Sequence, residues 1–402
     1  MEKTYKGFNQ GNIQNMNRAL LLNLLRREGV CARARLAELS ELKQATITYI
    51  MNDFIRWGLV REVGFLTGSK GRRSIGISIN NDLAVVGIRI ARKNYSVGLF
   101  ELSGNAIIIR RVSIELEQSA RETFESIIAL TDELIKNAKD RRVLAIGMAL
   151  PGPYSIKRGR IELMTGVSGW NEIMIEEEMK CKFHIPIFIE QDANAGAIAQ
   201  YWYNKEEELN QSVLVYIAVG QGVGAGIMSN GQLLKGNIGV AGEIGHTTID
   251  VRGVRCACGN YGCLENYCST IALTRQVNAA LKAERNLSFS EVAILVREEN
   301  PIAVRIMKQC CEYLATGLVN VINSFNPQVL IIGDELSHII PDKMLEWVTE
   351  NVKKRVLPEI FENTRIMMSV VEQDSMVHGA AIVAIREIFS HVGDYFEDSK
   401  AL

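Results

Sequence analysis

The chain has 402 residues, of which 47% are hydrophobic and 23% charged, and its net charge is −1. These values are ordinary for a soluble globular protein with two or three domains. No apolar run approaches the roughly 18 residues of a membrane helix, and the polar start does not read as a signal peptide. Three of the eight cysteines cluster within 256–263, and this usage predicts a reduced, cytoplasmic protein without membrane partners.

The charge is distributed unevenly along the chain. Residues 1–80 contain 13 Lys and Arg against 6 Asp and Glu, whereas the remainder contains 32 against 40. A basic first fifth on an acidic body predicts an anionic partner at the amino end alone.

The basic segment, residues 1–80, reads as a small domain. Apolar spacing predicts helices over 15–27, over 31–42 and over 43–56, and Gly58 is a plausible stop for the third. Two alternating strands, LVREVGF and SIGISIN, follow around the turn LTGSKGRR. Three helices and a hairpin are typical of a winged helix-turn-helix. A three-helix protein-interaction module with an incidentally charged hairpin is the alternative.

For DNA binding, the third helix would enter the major groove, and the hairpin would follow phosphates or enter a narrow A·T-rich minor groove. The polar face of that helix and the hairpin tip supply the candidate contacts. These are Lys43, Gln44, Thr46, Thr48 and Tyr49 on the helix and Lys70, Arg72 and Arg73 on the hairpin.

From residue 81 to 402 the pattern changes to alternating strands and helices. Buried strands are predicted at LAVVGIRI, YSVGLFEL, VLAIGMAL, IPIFIE, VLVYIAV, VGAGIMS and VLIIG. Helices are predicted at 120–138, after Asp192, at 302–324 and in the terminal GAAIVAIREIF, which should return to the first lobe. This order predicts an α/β protein of two lobes around a cleft.

Four metal-ligand side chains lie within eighteen residues, in the spacing H-x9-C-x-C-x4-C: His246, Cys256, Cys258 and Cys263. A closed set of four Cys and His ligands is the pattern of a structural zinc. Three unrelated buried thiols are the alternative. The acids Glu243 and Glu265 flank the cluster, which suggests a binding site beside the metal.

The motif GEIGH followed by CACGNYGCLE resembles the signature of ROK proteins, which are bacterial sugar kinases and sugar-responsive repressors. The resemblance implies a two-lobed actin-like ATPase fold of the ROK and hexokinase type. It also implies zinc on His246 and the three cysteines, and sugar contacts from Glu243, Glu265 and the second nitrogen of His246.

Further along the same resemblance, Gln191 and Asp192 follow a strand where family members place a polar residue and an acid against the sugar. The family usually has Asn at the first position, so Gln191 is a departure. Ser168, Trp170 and Asn171 lie in a stretch that resembles the loop closing over the sugar. The resemblance therefore predicts sugar contacts from Ser168 and Asn171, whereas Trp170 is as consistent with a core role.

The residues at the positions where family kinases bind nucleotide distinguish a kinase from a repressor. Family kinases carry an Asp-x-Gly-Gly-Thr hairpin after the first strand, and this chain has Arg89 in place of the acid. Gln221 stands where kinases have Thr, and Gly333-Asp334-Glu335 replaces a Gly-rich turn. We therefore expect no ATP and no enzyme activity.

The sequence is thus interpreted as a repressor, most similar to the xylose-repressor branch. It should bind a palindromic, A·T-rich operator as a homodimer and respond to a monosaccharide, xylose or a hexose. One alternative is a sugar kinase with an appended DNA-binding domain. Another is an activator, or a DNA-binding protein whose sugar site serves only structure.

Overall fold

A computed structural model describes residues 10–67, 73–115, 117–138, 140–152, 154–155, 158–161, 169–204, 212–282, 285–371 and 374–396. The predicted helices and strands of the amino-terminal segment are present, together with one short strand that the sequence did not indicate. The elements are α1 (Gln10–Glu28), β1 (Cys31–Ala32), α2 (Arg33–Ser40), α3 (Gln44–Arg56), β2 (Val60–Thr67) and β3 (Arg73–Ile79). The strands form an antiparallel sheet in the order β1-β3-β2.

The first lobe follows directly. Its elements are β4 (Leu83–Ile90), β5 (Asn94–Glu101), β6 (Ala106–Ser113), α4 (Ala120–Asn137), β7 (Arg142–Leu150), β8 (Tyr154–Ser155), β9 (Arg160–Ile161), α5 (Ile175–Phe183), β10 (Ile187–Gln191) and α6 (Asp192–Tyr203). Five strands form a mixed sheet in the order β10-β7-β4-β5-β6. Ser119 and Glu122 form a capping box that starts α4.

The second lobe repeats this arrangement. Its elements are β11 (Val213–Val219), β12 (Val223–Ser229), β13 (Gln232–Leu233), α7 (Glu265–Cys268), α8 (Thr270–Leu281), α9 (Phe289–Arg297), α10 (Pro301–Phe325), β14 (Val329–Gly333), α11 (Pro341–Lys353), α12 (Pro358–Glu362) and β15 (Arg365–Met368). The sheet order is β13-β12-β11-β14-β15. In both sheets, three antiparallel strands are extended by two parallel ones.

The chain returns to the first lobe through α13 (Ser375–Ser390) and ends its described part in α14 (Val392–Phe396), as predicted for the terminal helix. Helix α13 packs on β4 and β7, whereas α6 packs on β11 and β12, and the two helices pack against each other between the sheets. The packing is close because a Cβ at Gly379 of α13 would lie 1.9 Å from the carbonyl oxygen of Ala195 in α6. These two helices therefore join the lobes with little room for adjustment.

The amino-terminal helices share one continuous core with the body. Leu21, Leu25 and Phe54 belong to the same buried cluster as Phe389 and Phe396 from the end of the chain. On α1, Leu22 is buried with Leu21 and Leu25, whereas Leu20 is 41% exposed. No helix among the described residues is both long and apolar enough to cross a membrane.

Candidate functional site

A polar cavity lies between the two sheets. It contains about 760 Å³ of space, its opening included. Five of the seven predicted sugar-binding residues line it, and so do the residues of the altered nucleotide side. The charged and amide side chains in its wall are Arg89, Arg92, Gln191, Asp192, Gln221, Glu243, His246, Glu265, Asp334 and Glu335.

Gln191 and Asp192 enter the cavity because β10 ends and α6 begins between them. Gln191 pairs with Leu150 of the parallel strand β7, so both strand ends open at the same edge. The Gln191 side-chain nitrogen Nε2 donates to Glu243 Oε1 over 2.5 Å. A Cβ on Gly152 would lie 2.1 Å from that nitrogen, so a larger residue in the turn after β7 would displace the Gln191 side chain.

Among the acids of the cavity wall, Asp192 has a pKa that differs clearly from its ordinary value. Its Oδ1 accepts the backbone N–H of Ala193 at 2.7 Å. Loss of water around the carboxyl raises its pKa to about 6, and Asp334 and Glu243 act in the same direction, while Arg89 opposes them. An acid with a pKa near neutrality in a cleft is a candidate for ligand binding.

The four predicted metal ligands lie together. One ligand atom from each of His246, Cys256, Cys258 and Cys263 falls within 4.8 Å of the others. The loop closes at Gly262, whose φ is +63° and whose Cβ would lie 1.7 Å from the carbonyl oxygen of Asp250. Three thiols and one imidazole in this arrangement can hold a metal ion.

The three thiols of the cluster can be ionised together only with a cation among them. Burial and the neighbouring thiols of Cys256 and Cys258 raise the pKa of Cys263 to about 12. Three thiolates in one place need a positive charge among them, which a divalent metal supplies.

His246 connects this cluster to the cavity. Its Nδ1 lies 3.8 Å from Cys256 Sγ and 3.5 Å from Glu265 Oε1. Its Nε2 lies 3.9 Å from Glu243 Oε2. One ring thus faces the thiols with one nitrogen and a cavity carboxylate with the other. The two acids flanking the motif are held next to the metal-ligand set.

Arg89 occupies the opposite side of the cavity and bridges the lobes. Its guanidinium donates to Asp334 at 3.1 Å and to Asp374 at 3.0 Å. Burial opposes the charge, but the two carboxylates outweigh it and hold the pKa of Arg89 well above its ordinary value. The sequence identified Arg89 and Asp334 but not Asp374, whose place before α13 reads only as a helix cap.

Asp334 adopts a backbone conformation that glycine usually takes, with φ 75° and ψ −172°. Such conformations cost about 1–3 kcal/mol and persist where the surroundings enforce them. Here Arg89 binds the Asp334 carboxylate, and the adjacent Glu335 accepts from Arg111 of β6 at 2.7 Å. The turn that replaces the Gly-rich segment is therefore tied by two ion pairs to the first lobe.

One predicted sugar contact lies outside the cavity, and another falls on a residue that the structure does not describe. Asn171 lies exposed on a short 3-10 helix, Trp170–Glu172, and is absent from the cavity lining. Trp170 is buried and packs edge-on against Phe124 at 6.4 Å, so its role is in the core. Ser168 lies outside the described residues.

Helix α3 presents the polar face that the sequence predicted. Ile47, Ile50 and Phe54 are buried. The side chains of Lys43, Gln44 and Tyr49 are exposed, and those of Thr46 and Thr48 are half-buried. Of the hairpin residues, Arg73 begins β3, and Lys70 and Arg72 lie outside the described residues.

Replacing Cys258 with Ser should remove a bound metal. Even the outer partners of a metal ligand are worth about 10–100-fold in affinity, so losing a direct ligand should cost more than about 100-fold. Metal content per purified chain measures this. Cys181→Ser, an exposed thiol on α5, is the matched control and should keep the metal. Equal metal in both variants would exclude the cluster as the site.

Replacing Asp192 with Asn should stabilise the protein at pH 8 but not at pH 4. In the folded protein its pKa is raised to about 6. Stability from the protonated form is therefore complete below about pH 4 and is lost as the pH rises through 6. We expect a gain on the order of 1–2 kcal/mol at pH 8, measured by urea unfolding.

The control for this prediction is Asp140→Asn, an exposed position in the turn before β7. Its effect should be the same at both pH values. If Asp192→Asn also behaves alike at pH 4 and pH 8, the pKa of Asp192 is not raised in the folded protein.

Known proteins share this architecture. The family model described as "ROK family" matches residues 85–387. A xylose repressor of Caldicellulosiruptor bescii is 26% identical over 392 residues, covering 94% of this chain and 97% of that protein.

Two solved structures extend the comparison. A ROK family transcriptional regulator, described as a homologue of the Escherichia coli MLC protein, has 26% identity and a TM-score of 0.79, covering 96% of this chain and 100% of that one. A ROK hexokinase from Thermus thermophilus has 26% identity and a TM-score of 0.63, covering 76% and 99%. With its fold and its Cys and His cluster, the chain belongs to the ROK family.

Proposed function

We propose that this protein is a sugar-responsive transcriptional regulator, a repressor of carbohydrate-utilisation genes. A basic amino-terminal segment with an exposed polar helix is packed on a body with a carboxylate-lined cavity. The xylose repressor and the ROK transcriptional regulator match this chain over nearly their whole lengths. Both parts of a ligand-controlled DNA-binding protein are therefore supported.

The ligand of the cavity is a neutral monosaccharide, xylose or a hexose. Asp192, Glu243 and Glu265 offer carboxylate oxygens that accept hydrogen bonds from hydroxyl groups, and Gln191 and His246 complete the set. The same negative charge disfavours an anionic sugar. Ser168 and Asn171 stay proposed contacts of a closing loop.

The metal is zinc in a structural role. Three cysteines and one histidine match the preference of zinc for four tetrahedral sulfur and nitrogen ligands with no open position. His246, Cys256, Cys258 and Cys263 would hold it. With His246 fixed, Glu243 and Glu265 keep their places beside the cavity.

The amino-terminal segment, residues 1–80, acts as a winged helix-turn-helix. Helix α3 would lie in the major groove with Gln44 and Tyr49 toward the bases, and the hairpin would carry Lys70, Arg72 and Arg73 to the phosphates. Two such domains in a homodimer would read a palindromic, A·T-rich operator. The remaining residues, 81–402, form the sugar-binding body.

The observation that carries the proposal against a kinase is Arg89. Its buried guanidinium, bonded to Asp334 and Asp374, occupies the side of the cavity where kinases of the family use an acid to orient Mg²⁺. The guanidinium fills this space and binds both carboxylates, which are therefore not free to hold a divalent cation. A kinase with an appended DNA-binding domain is the second candidate, because the Thermus thermophilus hexokinase shares the fold. ATP-dependent phosphorylation of a sugar would establish it.

The deciding experiment is a DNA-binding titration on the region upstream of the protein's own gene cluster, at fixed salt. D-xylose, D-glucose and N-acetylglucosamine are added in turn. One sugar should release the protein at a concentration where the others do not. Asp192→Asn should bind the DNA like the wild type and respond less. DNA binding that no sugar changes would contradict sugar control, and tighter binding in the presence of a sugar would contradict release by that sugar.

For the base contacts, Gln44→Ala should reduce discrimination at one base pair by about 1–3 kcal/mol.

For the phosphate contacts, the double variant Arg72→Ala with Arg73→Ala should bind all sequences more weakly. It should also lower the salt dependence of binding by about one unit of slope per lost phosphate contact. Lys136→Ala, exposed on α4 of the body, is the charge control. If the hairpin variant binds with the wild-type salt slope, the hairpin does not touch phosphate.

A further inference from the structure

The side chain of Arg26 in α1 contacts Trp202 near the carboxyl end of α6. The Arg26 guanidinium carbon lies 3.8 Å from the centre of the Trp202 ring, and its Nη1 donates to the Trp202 carbonyl oxygen at 3.3 Å. Burial, with the neighbouring charge of Arg27, lowers the pKa of Arg26 to about 10. A half-buried cation is thus held against an aromatic face, which is a directional contact.

Helix α6 connects this contact to the cavity. It begins at Asp192 in the cavity wall and ends at Tyr203, so Trp202 lies about 15 Å further along the same helix. Trp202 itself is not among the residues that line the cavity. No loop intervenes between the acid that meets the ligand and the ring that meets α1.

The helix is rigid because its surroundings fill every side. Its residues from Ala193 to Gln200 are buried. A Cβ on Gly226 of β12 would lie 2.3 Å from the Ala193 carbonyl oxygen, and one on Gly379 of α13 would lie 1.9 Å from that of Ala195. Packed interiors transmit displacement instead of absorbing it, so a shift at Asp192 reaches Trp202.

The amino-terminal segment also contacts the end of the chain through Trp57, and this contact is purely aromatic. Trp57 at the end of α3 stacks on Phe396 of α14, with ring centres 6.2 Å apart and planes 21° from parallel. Apolar contacts of this kind are tolerant of direction, whereas the Arg26 contact combines an aromatic face with one carbonyl. A movement of α6 would therefore change the Arg26 contact first.

We propose that the contact of Arg26 with Trp202 couples the sugar cavity to the DNA-binding segment through α6. This rests on the proposed function of a sugar-controlled regulator. Arg26 is a positioning residue: it touches neither sugar nor DNA, and it sets the placement of α1 according to the state of α6. Coupling between sites in regulated proteins is commonly 5–150-fold.

The test compares Arg26→Met with Arg27→Met, the exposed neighbour that loses the same charge. For each, the affinity for the upstream DNA is measured with and without whichever of D-xylose, D-glucose and N-acetylglucosamine releases the wild type. Arg26→Met should bring the ratio of the two affinities close to one while calorimetry finds unchanged sugar affinity. Arg27→Met should change DNA affinity equally in both states and keep the wild-type ratio.

A structural role alone predicts another result. Arg26→Met would then lower DNA affinity or stability and keep the wild-type ratio, and this overturns the proposal. A ratio of one in the wild type would overturn the proposed function itself, and the coupling with it. Arg26→Lys, which keeps the charge but not the planar guanidinium, should give an intermediate ratio.

A second measurement needs no DNA and no change at Arg26. The fluorescence of Trp202 is obtained by subtracting the emission of Trp202→Phe from that of the wild type. This difference is followed while the same sugar is added. Because Trp202 lies outside the cavity, a change in its emission reports movement of α6 against Arg26. Sugar binding without any change in that difference would contradict the relay.

Discussion

The buried charge of Arg89 constrains the whole two-lobed body. A guanidinium removed from water requires carboxylate partners, and Asp334 and Asp374 come from the second lobe and from the helix that returns to the first. Removing one partner of such a pair costs about 3–5 kcal/mol. The ion pairs therefore restrain the two sheets against each other at this side of the cavity.

On the other side of the cavity, the metal-ligand cluster has the comparable role. Its four side chains come from one short segment, and His246 places Glu243 and Glu265 within reach of the same space. Asp192, at the start of α6, completes the row of acids. One wall of the cavity is thus organised by a local loop and the other by long-range ion pairs.

Helices α6 and α13 connect these walls to the amino-terminal segment. Helix α6 begins at the cavity with Asp192, whereas α13 begins after Asp374, which pairs with Arg89 of the cavity wall. The two helices pack closely between the sheets. At the far end, α1 meets Trp202 of α6, and Phe396 beyond α13 meets Trp57. The segment proposed to bind DNA therefore rests on α6, which begins in the wall of the proposed sugar site, and on the end of the chain that follows α13.

Sequence alone determined the features that depend on neighbouring residues. The metal-ligand set was readable because its spacing spans eighteen residues. The resemblance to ROK proteins indicated Gln191 and Asp192, which follow a buried strand. The polar face of α3 followed from helical periodicity. Only the tertiary structure decided that Arg89 pairs with Asp374, that Asn171 lies outside the cavity, and that Arg26 meets Trp202. Such features depend on residues that are far apart in the chain, so local sequence spacing does not predict them.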